Sequence, residues 1–201
     1  MDVNEIDGFQ RRKEQKKINI LEAALHLFKQ YGTKKVSVAE IAKQANVSQV
    51  TIYNYFGSKH DLIYEVIVYF VDTVWAEYEE MFKADLPFPK KIKQMIFNKK
   101  TDAEDISSNF YHDFMKEYPA GLAYIEQLYE KQALPRFLEL FDEGKKQGYV
   151  DKSISNEAIF MYIQMFREFL LKDNIYEQLL PLTEDLTKLF FYGIVGQSKE
   201  D

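Results

Sequence analysis

The chain has 201 residues, of which 46% are hydrophobic and 29% charged, with a formal net charge of -6. It contains no Cys, which removes disulfides and thiolate metal sites. No apolar run approaches membrane-spanning length, and the N-terminal MDVNEIDGFQRRKEQKK lacks the apolar centre of a signal peptide, so a cytoplasmic protein with one small head and one larger body is expected.

The acidic total conceals a division. Residues 10–60 hold ten Lys or Arg against three Glu, a net of +7, whereas residues 61–201 hold 16 basic and 26 acidic side chains, a net of -10. A basic head on an acidic body suits phosphate contact at one end and repulsion of nucleic acid elsewhere. The run 11-RRKEQKK-17 alone reads equally well as a solvated arm; beside the motif that follows it, phosphate contact is preferred.

Ile18, Leu21, Leu25 and Phe28 recur at helical spacing, and Gly32 falls where that helix should stop. Ser37 with Glu40 forms a capping box for a short second helix, Ser48 can cap a third, and Ser58 with Asp61 resembles a box for a long fourth. Ile41, Ala42, Ala45, Val47 and Ile52 supply the apolar inside, closed by Tyr55. Asn46 stands where the turn wants a left-handed backbone. This is the spacing of a helix-turn-helix, whose second helix enters the DNA major groove. Its outward positions are Ser48, Gln49, Val50, Thr51, Tyr53 and Asn54.

Three segments carry a resemblance: F-x-x-x-G at Phe28–Gly32, T-x-x-x-[ST]-x-x-x-I-A at Thr33–Ala42, and V-S-x-x-T-I-Y-x-Y-F-x-S-K-x-x-L at Val47–Leu62. The pattern resembles the N-terminal domain of TetR-type transcriptional regulators and covers the first quarter to third of the chain. Many relatives have Gly where this chain has Val50, and a turn Gly where it has Asn46. A branched apolar side chain at the first position suits a thymine methyl, so a different base preference is expected. The resemblance implies phosphate contacts for Tyr53, Tyr55 and Lys59, with Ser37 and Thr51 assisting. Gln49, Val50 and Asn54 are the candidates for base edges, since amides suit adenine.

Beyond Ser58 the pattern is helical almost to the end, giving an all-α fold: a helix-turn-helix head over residues 1–57 and a helical body over 58–201. Helices are expected over about 58–84, 90–98, 107–118, 119–147, 155–172 and 181–195. A polar loop should span 98–105, Pro135 should kink the fourth of these, and Pro181 should open the last. The final two helices are apolar over more than one face: Ile159, Phe160, Ile163, Phe166, Phe169 and Leu170 on the first, Leu182, Leu186, Leu189, Phe190 and Ile194 on the second, with Gly193 permitting close approach. Both sides can meet the subunit's own core. The resemblance implies instead that these helices pair two subunits in a four-helix bundle, letting a homodimer read a palindromic operator with half-sites about 34–36 Å apart or a multiple of that.

The body is rich in aromatic residues, each individually best explained as core. Phe110, Tyr111, His112, Tyr124, Tyr129, Gln164, Met165 and Arg167 nevertheless form a candidate pocket lining with polar anchors. The resemblance implies a small-molecule effector held between body helices and a repressor released from DNA by it, through a shift of the helix that starts at Ser58. The alternative is a constitutive DNA-binding protein whose body docks a protein partner. An all-helical enzyme has little to stand on: His26, His60 and His112 are isolated, and phosphate-binding and nucleophile motifs are absent, so neither catalysis nor a cofactor or metal is expected.

Overall fold

The computed structural model describes residues 3–95, 110, 113, 118–170 and 180–195. Among these the regular elements are helices only: α1 (Val3–Tyr31), α2 (Val38–Gln44), α3 (Gln49–Phe56), α4 (Lys59–Lys83), α5 (residues 88–95), α6 (Pro119–Leu128), a π-turn (Tyr129–Ala133), α7 (Leu134–Gln147), α8 (Asn156–Leu170), a 3-10 turn (Leu180–Leu182) and α9 (Thr183–Val195). The all-α expectation holds. The expected loop at 98–105 and most of the expected helix at 107–118 lie outside the described residues, as do the side chains of Leu170 and Ile194. None of the described helices is long and apolar enough to cross a membrane.

Two compact units divide the chain: Met1–Thr73 with Ile106–Ile125, and Val74–Asp105 with Glu126–Asp201. The boundary expected after Gly57 coincides with the α3–α4 turn, whereas the first unit also takes in the start of α4 and the segment around α6. Leu62, Ile63, Val66 and Ile67 of α4 complete the core made by Ile20, Leu21, Ala24 and Phe28 of α1, Ile41 and Ala42 of α2, and Ile52 and Phe56 of α3. Gly121 of α6 lets that helix approach α4, since a Cβ there would stand 2.9 Å from Ile67 Cγ2.

α1 begins well before the expected start near Ile18. The segment 11–17 is a continuous part of it, not an arm; Arg, Lys, Glu and Gln are all good helix formers and no Gly or Pro interrupts them.

In the second unit, Phe88 and Ile92 of α5 pack with Leu140 and Phe141 of α7, Val150 in the turn after α7, Ile159 and Ile163 of α8, and Phe190 and Phe191 of α9. Lys91, only 4% exposed, is satisfied by the Phe82 carbonyl at 2.9 Å and the Glu143 carboxylate at 3.0 Å. The expected disturbance at Pro135 takes the form of the π-turn immediately before it, in which the Leu134 N–H reaches back to the Tyr129 carbonyl. Pro135 has no N–H and its ring crowds the carbonyl four residues earlier; widening the preceding turn relieves that crowding while the helix continues. Pro181 lies in the 3-10 turn, and α9 starts two residues later than expected.

Candidate nucleic-acid interface

The reading head is held by local chemistry at each helix end. Ser37 Oγ accepts the Glu40 N–H at 3.2 Å, and Glu40 Oε2 accepts the Ser37 N–H at 2.7 Å, the reciprocal capping box expected. The Ser37 hydroxyl and then its backbone N–H hold the Glu40 carboxyl below its ordinary range. At the end of α2, Val47 N–H bonds the Ala42 carbonyl at 2.9 Å and Asn46 N–H the Lys43 carbonyl at 3.3 Å. That pair of bonds is a Schellman closure, and Asn46 occupies its left-handed position at φ 53°. Ser48 Oγ caps α3 through the Thr51 N–H at 3.0 Å and also meets the Thr51 hydroxyl at 2.9 Å. Gly57 ends α3 at φ 78°.

These caps fix which side of α3 faces out. Ile52 and Phe56 are buried, while Ser48, Gln49, Val50, Tyr53 and Asn54 are exposed, Val50 to 66%. An apolar side chain so exposed on a helix whose inner face is complete has no structural task in the head. Thr51 is half-buried. Tyr55, also half-buried, sends its hydroxyl to the Lys13 carbonyl at 3.1 Å and so ties α3 to α1.

Lys59, at the start of α4, donates to the Thr33 carbonyl at 2.9 Å. Thr33 in turn donates its backbone N–H and its hydroxyl to Asp113 Oδ2, both at 2.8 Å, and Lys34 adds its N–H at 3.4 Å. Thr33 is 1% exposed and Asp113 6%, so a buried carboxylate braces the turn that leads into α2. No local pattern signals this latch, because Asp113 and Thr33 stand 80 positions apart. Beside α3, Phe9, Arg12, Lys13 and Lys16 of α1 line an open cleft of about 500 Å³ with Asn54 and Tyr55. Their spacing at 9, 12, 13 and 16 is one helix face, a signal visible once the segment is read as helix.

The residues expected around an effector divide. Phe110 is buried in the first core, edge-on to Phe70, and Tyr124 donates to Asp72 in the same unit. Burial, then the Asp72 carboxylate, push the Tyr124 phenol up to about 12. In the second unit, Tyr129 donates to Gln164 at 3.3 Å, and the Arg167 guanidinium lies 4.7 Å from the centre of the Tyr129 ring while meeting Glu126 at 3.5 Å. Burial raises the Tyr129 phenol and the nearby Arg167 opposes that shift. Met165 is 67% exposed. Tyr111 and His112 lie outside the described residues.

The residues expected on a pairing face are also sorted by burial. Ile159, Ile163 and Phe190, expected at a pairing face, are buried in the second unit's own core. Phe160, Phe166 and Leu186 are half-buried, and Gly193 is exposed near the Tyr162 hydroxyl. The outward apolar side chains are Met161, Met165 and Phe169 of α8, Leu182 just before α9, and Leu189 of α9.

A helix-turn-helix with its second helix bare, on a head whose charge is basic, defines a DNA-binding transcriptional regulator. Residues 20–66 match the profile described as bacterial regulatory proteins, tetR family. It is 24% identical over 151 residues to the uncharacterized HTH-type transcriptional regulator YhgD of Bacillus subtilis (strain 168), covering 73% of this chain and 78% of that one. It is 22% identical over 156 residues to the HTH-type transcriptional repressor KstR2 of Rhodococcus jostii (strain RHA1), covering 76% of each. The fold is similar to that of the transcriptional regulator FadR from Bacillus subtilis, solved in complex with stearoyl-CoA, with a TM-score of 0.58 and 20% identity over 88% of this chain and 98% of that one.

Proposed function

We propose that the protein is a homodimeric repressor that holds a palindromic operator and is released from it by a small-molecule effector. The observation that carries the DNA half of this reading is the bare outer face of α3, with Gln49, Val50 and Asn54 set to meet base edges. Tyr53 and Lys59 are assigned to phosphates, with Tyr55, Ser37, Ser48 and Thr51 fixing the helix ends and assisting. The exposed apolar side chains of α8 and α9 support pairing of two subunits through those helices.

The effector half rests on the Tyr129, Gln164 and Arg167 group, which sets a cation and one amide beside the tyrosine at a π-turn. A ligand with an apolar body and an anionic end suits that chemistry, and the stearoyl-CoA held by FadR from Bacillus subtilis is a molecule of that type. Repression is the reading favoured by the name of the KstR2 relative.

Selection of bound duplex from a random pool tests the DNA half: a recovered palindrome is expected, and an unselected pool overturns the reading. Calorimetric titration of acyl-CoAs into free and operator-bound protein tests the rest. Linkage requires a releasing ligand to bind the DNA-bound dimer less tightly by the same factor by which it weakens operator binding. Equal affinities in the two titrations would remove the effector from the account and leave constitutive binding.

A further inference from the structure

We infer that the cleft between α1 and α3 is a second, rigid DNA seat: it takes the sugar–phosphate strand beside the major groove, through Arg12, Lys13 and Lys16. The inference rests on the DNA-reading role of α3 and adds to it the basic face of α1, which the helix-turn-helix does not include.

Three observations converge on the cleft. Among the described residues its lining holds three cations and no carboxylate, although Glu14 lies within the same stretch of α1. One wall is formed by Asn54 and Tyr55, from the helix that faces the bases, so DNA engaged by α3 must pass along it. The walls are tied together by the Tyr55 hydroxyl on the Lys13 carbonyl at 3.1 Å, so the cleft has a fixed shape. Arg12 and Lys16 are one helical turn apart, a rise of about 6 Å, within reach of neighbouring phosphates on one strand. Phe9, 61% exposed at the same cleft, offers an apolar face to a deoxyribose. Because these side chains stand on a helix rather than a loose arm, less freedom is lost on binding.

The neighbouring cation separates a seat from general charge. Lys17 adjoins Lys16 in sequence but turns away and pairs with Glu65 at 2.9 Å. It contributes to the net charge of the head without lining the cleft.

The test measures affinity for one fixed duplex, recovered by selection from a random pool, between 50 and 200 mM salt. The proteins are the full chain, the triple variant Arg12→Gln, Lys13→Gln, Lys16→Gln, and the single variant Lys17→Gln. Glutamine keeps the helix and the side-chain stems, and the bond from Tyr55 goes to backbone, so the fold is retained. Three lost phosphate contacts should lower the magnitude of the log-affinity slope by about 2.7 per bound head, so that over this range the wild type loses on the order of 40-fold more affinity than the triple variant for each bound head. Lys17→Gln should leave the slope as it is, and repeated selection with the triple variant should return the same bases.

A change in slope of less than about one for the triple variant overturns the inference, as does an equal effect of Lys17→Gln, which would mean bulk charge. An altered base preference in the triple variant also overturns it, by making the cleft a reader of bases. A wild type that selects no duplex at all would strike the DNA-reading role itself, a result distinct from each of these.

Discussion

Replacing Asp113 by Ala is the most direct probe of how the reading head is braced. The carboxylate accepts two hydrogen bonds at 2.8 Å from Thr33 and one at 3.4 Å from Lys34, and Thr33 is 1% exposed. Bonds to a charged group contribute about 1.5–3 kcal/mol each, so the two short ones set a loss of about 3–6 kcal/mol. Part of this returns because the carboxylate no longer has to be kept out of water, leaving about 3 kcal/mol. Thr33→Val removes only the hydroxyl bond and should cost about 1.5–3 kcal/mol. The readout is hydrogen exchange at the Thr33 and Lys34 amides together with urea unfolding followed by circular dichroism. A 3 kcal/mol loss corresponds to roughly a hundredfold faster exchange where opening is limiting. Because the Thr33 carbonyl holds Lys59 at 2.9 Å, operator affinity should fall as well. Asp113→Ala losing less than about 1 kcal/mol, with unchanged protection at Thr33, would refute the latch.

Lys59→Ala should weaken binding to all sequences alike and lower the salt slope by about one, while Gln49→Ala should relax preference at particular base pairs; comparing selected and scrambled duplexes checks the division of roles, and the reverse pattern would refute it. Leu189→Glu places a charge where the side chain is 66% exposed in the single subunit, so subunit folding should survive, whereas a face buried against a second copy would lose several kcal/mol. Light scattering at micromolar concentration should then report a folded monomer for the variant and a dimer for the wild type, and a wild-type monomer would end the pairing proposal. The Tyr124 phenol is raised in the folded chain from 10.0 to about 12, so its contribution to stability is complete below pH 10 and is lost as pH rises towards 12. Tyr124→Phe should flatten that alkaline loss of stability, and an unchanged profile would exclude the Asp72 bond as its source.

What was legible in the sequence was mostly what is decided locally. Ser37, Glu40, Asn46, Ser48 and Gly57 act on donors and carbonyls within a few residues, so their roles follow from spacing alone, and the structure has each where the spacing puts it. The outward face of α3 follows in turn, because Ile52 and Phe56 fix the inward one. Position in the three-dimensional core was less legible. Apolar periodicity marks Ile159, Ile163 and Phe190 as well as Met161, Met165 and Leu189, but it cannot say which of two apolar faces meets the subunit's own core. Asp113 and Gly144 were opaque for the same reason: a Cβ on Gly144 would stand 2.6 Å from Val150 Cγ2 and 2.8 Å from the Phe88 ring, contacts set by packing and not by neighbours in the chain. Whether the basic segment of α1 is arm or helix was not legible either, because charge alone does not distinguish solvated coil from exposed helix.

The reading surface itself argues for two heads on one operator. α3 is eight residues long and offers Gln49, Val50 and Asn54 to base edges. Good bidentate contacts discriminate by about 1–3 kcal/mol each, so the two amides of one head supply about 2–6 kcal/mol. Specific binding over non-specific binding takes about 4–10 kcal/mol, so a single head reaches only the lower part of that range. Phosphate contacts from Arg12, Lys13 and Lys16 do not close the gap, because they strengthen every sequence equally. A second copy of the same head doubles the discriminating term and requires the site to be a palindrome. A monomeric Leu189→Glu variant should therefore keep its phosphate-driven, salt-sensitive affinity per head while its preference for the selected duplex falls sharply. An undiminished preference in that monomer would show that one α3 suffices and that pairing serves some other end.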